Sequence, residues 1–209
     1  MKLHFAVLIL LCMMLASPAL GDYSNGAING SVDAWAINFG YVVSDNFVAS
    51  FSTITGFTFG AWEFPGDTLT HVDWSVTSAE NGGTVYGSGT ADTTDLFISS
   101  NQYGYNIDKI TVSGLNVTLN LGSTYWLNLQ NASVASGDPV YWDENSGPSS
   151  ASESALGTIP SEAFTVNTYC GAGNNSADCG PPVPEPSSIL LFGPGILGLA
   201  GLLRCKLRF

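Results

Sequence analysis

Through the middle of this chain apolar residues alternate with polar ones in short runs. Leu115, Val117, Leu119 and Leu121 alternate with Asn116, Thr118 and Asn120. A period of two turns one side of an extended strand toward a core and the other toward water. Tyr125, Leu127 and Leu129 alternate in the same way with Trp126, Asn128 and Gln130. Gly122-Ser123 lies between these two runs and predicts a hairpin. Val72, Trp74 and Val76 alternate with His71, Asp73 and Ser75, which places Trp74 in the core and His71 and Asp73 outside. Further strands are expected at 46–53, 56–64, 83–89, 96–99, 109–113 and 163–168, with a tight turn at Asn81-Gly82-Gly83. Helical periodicity is missing from this region. Some eight short strands with frequent turns predict an all-β fold, an antiparallel β-sandwich of jelly-roll-like or Ig-like type.

The ends read differently. Lys2, the apolar run 5–15 and the small residues Ala19 and Gly21 form a secretory signal peptide, 1–21, cut before Asp22. Cys12 is not a lipoprotein cysteine, because bulky Leu11 precedes it. At the other end 187–203 carries no charge. As a helix it would reach roughly 25 Å, nearly the depth of a bilayer core, and flanking basic side chains can snorkel across the difference. Arg204, Lys206 and Arg208 follow it and would stay cytoplasmic, leaving the preceding domain outside. The sandwich, 22–168, is thus expected between an N-terminal signal helix and a C-terminal transmembrane helix. Residues 169–182 form a linker, in which Cys170 and Cys179 are placed to close a small disulfide loop before a proline-rich spacer.

Val183-Pro184-Glu185-Pro186-Ser187, the Gly-rich apolar run and the basic tail ending at Phe209 together resemble a PEP-CTERM sorting signal, here 183–209. The resemblance implies a bacterial host that makes exopolysaccharide. It also implies an exosortase, a membrane-embedded transpeptidase-like enzyme that cuts near Pro-Glu-Pro and releases or re-anchors the body. The residues themselves agree with that role, since two prolines hold an extended segment that a protease can bind without unfolding it. The partners expected are the Sec translocon, signal peptidase and the exosortase. The body also resembles secreted domains that often precede this tail, through 43–47, 66–76, 124–129 and 140–143. Those domains bring no established activity with them.

Charge narrows the function. All 17 acidic residues fall between Asp22 and Glu185, and Lys109 is the one Lys or Arg among them, a formal −16 for the body. Such a surface repels phosphate backbones and excludes nucleic-acid binding. Catalytic chemistry is thinly represented. His71 and Asp73 lack a nucleophile-elbow serine, and one body histidine does not make a zinc centre. Carboxylate pairs for glycoside hydrolysis are Glu63 with Asp67 and Asp143 with Glu144. Asp92, Asp95, Asp143 and Glu144 are candidates for a structural calcium, the one cofactor considered. Trp126, Trp142 and Asp143 are candidates for stacking on a sugar face and holding its hydroxyls. The expectation is a non-enzymatic surface or extracellular-matrix protein, membrane-anchored in transit, that binds exopolysaccharide. The alternatives are a secreted carbohydrate-active enzyme using loop carboxylates and an ice-binding or adhesive structural protein.

Overall fold

The computed structural model describes residues 22–168. The signal segment with Ala19 and Gly21, the Cys170–Cys179 loop, the spacer and the sorting tail lie outside the described residues. Within them the chain is all strand and turn, with no helix. In order, the strands are β1 (Tyr23–Ser24), β2 (Ala34–Ala36), β3 (Val42–Val48), β4 (Thr53–Glu63), β5 (His71–Ala79), β6 (Gly82–Asp92), β7 (Thr94–Ser100), β8 (Asn106–Thr118), β9 (Thr124–Ser133), β10 (Tyr141–Asp143), β11 (Ala151–Glu153), β12 (Gly157–Ile159) and β13 (Phe164–Thr168).

Two antiparallel sheets pack face to face. One runs β12-β11-β3-β9-β5-β6. In the other, β4 pairs along one edge with β8, which pairs with β7. Along its other edge β4 pairs with β13 and then β10, which lead on to β1 and β2. Alternation decides what enters the gap. Phe57, Phe59 and Ala61 of β4 face inward, as do Ile110 and Val112 of β8. From the opposite sheet come Val43, Phe47, Val72, Trp74, Val76, Leu127 and Leu129. Aromatic rings fill the middle. Trp142 meets Phe164 edge-on at 5.6 Å, and Phe164 meets Phe47 at 6.4 Å. Each buried ring removes about 150–250 Å² from water, worth roughly 4–6 kcal/mol of transfer free energy at about 25 cal/mol per Å².

The outer face of β4 is also covered. The segment between β1 and β2 lies across it, so that Ile107, which points outward, is only 2 % exposed. Contact there is close enough to demand glycine. A Cβ on Gly30, whose φ is +62°, would sit 2.4 Å from Ile107 Cγ1.

The Asn81 turn forms as expected and joins β5 to β6. The hairpin expected at Gly122-Ser123 does not. β8 and β9 belong to different sheets, and residues 119–123 arch between them. The loop 49–52 arches alongside, carrying β3 into β4. The two loops bond to each other through Ala49 N to Ser123 O (2.9 Å), Gly122 N to Ala49 O (2.8 Å) and Leu119 N to Ser52 O (2.9 Å). Strand 46–53 therefore stops at Val48. The runs 109–113 and 115–121 are one strand to Thr118, continuous through Gly114 at φ +78°. Five strands of two or three residues, β1, β2, β10, β11 and β12, were not expected.

Candidate functional site

The apolar alternation of β4 ends in an acid. Glu63 continues the inward series of Phe57, Phe59 and Ala61, and it is fully buried. Beside it, Asp108 begins the inward series of Ile110 and Val112, and it is 4 % exposed. Asp95 of β7 lies opposite Ile110. The register thus brings three carboxylates from three adjacent strands into one corner of the sandwich, with an oxygen of each within 4.8 Å of the others. Asp67 approaches from the turn that follows β4, in which Asp67 N donates to Phe64 O at 3.0 Å.

These acids have few donors. Leu69 N donates to Asp95 Oδ2 at 2.8 Å. Both oxygens of Glu63, Oδ2 of Asp108 and Oδ2 of Asp67 are buried with no hydrogen-bond partner. Lys109, the lone Lys or Arg of the described residues, is the next residue after Asp108 and points to the other face. Burial, followed by repulsion from Asp95, Asp108 and Asp67, pushes the Glu63 carboxyl up to about 8. Burial and Asp95 raise Asp108 to about 6, and burial raises Asp95 as well. Protons or a cation must relieve this corner.

A second acidic pair lies elsewhere in the gap. Asp45 of β3 points inward between Val43 and Phe47. Its Oδ2 accepts from Glu162 N at 2.7 Å and Asn25 Nδ2 at 3.2 Å. Burial raises its carboxyl to about 6. Glu162 is fully buried, and burial first, then Asp45, Glu144, Asp143 and Asp33, push its carboxyl well above the usual range.

No family model matches this chain, and no curated protein matches it. The arrangement of the side chains therefore carries the functional argument.

The sugar-stacking candidates separate. Trp142 is completely buried, and its Nε1 donates to Ala163 O at 3.0 Å. It is a core ring and not a ligand platform, because β10 pairs beside β4 with Trp142 opposite inward-facing Ala61. Asp143 is buried on the opposite face, where its carboxylate accepts from Trp62 Nε1 (2.7 Å), Gly30 N (2.9 Å) and Asn29 N (2.8 Å). It pins the covering segment and has no face toward a ligand. Trp126 is half-buried on the outer face of its sheet. The calcium candidates do not converge either. Asp92 is exposed, Asp143 is engaged as described, and Glu144 accepts from Trp35 Nε1 at 3.1 Å. Asp95 alone of the four enters the carboxylate corner, where Glu63 and Asp108 join it. The signal for those two was present, an acid at the inward end of an apolar alternation.

An open groove with aromatic walls lies elsewhere. Trp35, Ala36, Tyr41, Glu153, Ala155 and Leu156 line an open groove of about 240 Å³. Tyr41 is 43 % and Leu156 68 % exposed. The groove's acid is held in place, since Ala155 N and Leu156 N both donate to Glu153 Oε2 at 3.0 Å.

Proposed function

We propose that this chain is a PEP-CTERM-type exported protein whose sandwich works outside the cytoplasm as a non-enzymatic surface or matrix component. It binds exopolysaccharide in the groove at Trp35 and Tyr41. The observation that carries the binding is the groove itself, an open trough with aromatic rings beside a fixed carboxylate. Such rings stack on the apolar face of a pyranose, while buried Glu153, its oxygens taken by Ser154 Oγ, Ala155 N and Leu156 N, braces the loop beneath them. The acidic body disfavours a polyanionic glycan, so the ligand class is a neutral polysaccharide. The strand pairing supports the jelly-roll-like form of the sandwich. The ribbon of β3 and β4 pairs with the ribbon of β9 and β8, folded so that each partner pair lies in a different sheet.

Geometry also weighs against glycoside hydrolysis. A retaining pair of carboxyls is separated by about 5–5.5 Å and an inverting pair by more, with the sugar between them. Glu63 and Asp108 are buried, so no sugar can lie between them. Asp143 and Glu144 are occupied by indole and backbone donors. Affinity electrophoresis against neutral exopolysaccharide tests the binding. Tyr41→Ala should weaken retention about tenfold, ~1.4 kcal/mol. Unchanged retention removes the groove from the reading. For sorting, the chain expressed in an exosortase-bearing bacterium should lose its tail. Replacing Pro184, Glu185 and Pro186 by alanine should leave the tail attached. A chain that stays in the cytosol with both ends intact defeats the export reading.

A further inference from the structure

We propose that Glu63, Asp95 and Asp108 bind one calcium ion that ties the edge strand β7 to β8 and β4. This goes beyond the reading above and stands whether or not the chain is exported.

The first support is unmet bonding. Glu63 is fully buried and neither of its oxygens meets an N–H or hydroxyl donor, its polar neighbour being the carboxyl of Asp95. Oδ2 of Asp108 likewise meets no donor. A buried carboxylate left bare costs several kcal/mol, and native folds avoid that by supplying a donor or a metal. The described residues contain two basic side chains, His71 and Lys109. Lys109 turns away from the cluster, and His71 lies beside Asp73 on the outer face. The only internal remedy is a proton shared among the acids themselves.

The second support is spacing. Two oxygens bound to one calcium at roughly 2.4 Å stand no more than about 4.8 Å apart, and the three carboxylates fit that span. All the donors are oxygen, which suits a hard cation and not zinc or copper. Three carboxylates with one or two bidentate contacts, plus water, reach the six to eight ligands calcium takes. Magnesium demands a tighter octahedron and sheds its water reluctantly. The carboxylate of Asp67 adds to the negative field at the site.

The placement gives the ion a mechanical role. β7 is an edge strand, and Leu96, Phe97 and Ile98 on it are 62 %, 56 % and 49 % exposed. Little apolar burial holds such a strand. A cation shared with Glu63 and Asp108 would fasten it from inside, and through Leu69 N on Asp95 it would also steady the loop after β4.

The test uses the full-length chain in detergent, stripped with EDTA. All five tryptophans, at 35, 62, 74, 126 and 142, lie in the sandwich, so their fluorescence follows its unfolding alone. Calcium at a hundredfold excess over its dissociation constant should raise the midpoint by roughly 10 °C. Magnesium at equal ionic strength should not reproduce the shift. The double variant Glu63→Gln/Asp108→Asn should lose the calcium shift, yet melt in EDTA no lower than the parent, because like charges have been removed. Asp92→Asn should keep the full shift. No calcium shift in the parent, an equal shift with magnesium, or a shift surviving in the double variant overturns the proposal. Should the double variant fail to fold, terbium luminescence decides the matter. Calcium should displace terbium from the parent, and Asp95→Asn should weaken terbium at least tenfold. Terbium binding that Asp95→Asn leaves unchanged is equally fatal.

Discussion

Replacing Asp45 by asparagine should flatten the pH dependence of stability. In the unfolded chain this carboxyl releases its proton near 3.8, whereas in the fold burial holds the proton to about 6. Below 3.8 both states are protonated and the group adds no penalty. As pH rises from there to 6, the unfolded chain is favoured progressively, because only it can ionise freely in water. The folded state thus loses stability with rising pH, and the loss is complete once the folded carboxyl ionises. Each pH unit of difference is worth 1.36 kcal/mol, so Asp45 alone accounts for about 3 kcal/mol. Glu162 acts with the same sign and is coupled to it. An asparagine oxygen can still accept from Glu162 N and Asn25 Nδ2, so the variant should match the parent near pH 4. At pH 7.5 it should be more stable by a few kcal/mol. Urea midpoints followed by tryptophan fluorescence at pH 4, 5.5 and 7.5 measure this. Parent and variant falling in parallel over that range would show that Asp45 is not the group responsible.

Three further outcomes follow from the packing. Trp142→Ala should cost roughly 3–5 kcal/mol in urea unfolding, since the ring is wholly buried. Asn128→Ala should cost about 1–3 kcal/mol. Asn128 Oδ1 accepts from Ser44 Oγ (2.5 Å) and Asn81 N (3.1 Å), and its Nδ2 donates to Thr77 Oγ1 (2.8 Å), so its loss removes three buried hydrogen bonds that tie β3, β5 and the Asn81 turn to β9. Phe97→Lys should slow aggregation, measured by light scattering at fixed protein concentration, because it places charge on an apolar edge strand.

Much of the fold was legible because alternation reports burial directly. The runs around Val72–Val76 and Leu127–Leu129 face the core as their pattern requires. Pairing was not legible. The two runs on either side of Gly122-Ser123 both present an apolar face to the same core, and that holds equally for neighbours in one sheet and for opposed strands in two. Loop-to-loop bonds between 119–123 and 49–52 decide for the arch, and they join residues far apart in sequence. β10, β11 and β12 escape for another reason. Three residues are too few to display a period, and β10 forms because β4 is long enough to offer an edge beyond β13.

The acids show where the same logic reaches further. Asp45 and Glu63 each occupy an inward position in an apolar series, and a carboxyl there conflicts with burial in the same way. The surroundings resolve the conflict differently. Asp45 is met by the Ser149 hydroxyl and, on Oδ2, by Glu162 N and Asn25 Nδ2, and a single proton completes it. Glu63 receives none and faces two more acids across less than 5 Å. One proton cannot neutralise three carboxyls, whereas one divalent cation can neutralise two and bridge the third. The first position is therefore a proton site and the second a cation site. The pH dependence assigned to Asp45 should accordingly persist in saturating calcium. If calcium abolished the difference between the parent and Asp45→Asn, the two corners would be one coupled system and this division would be wrong.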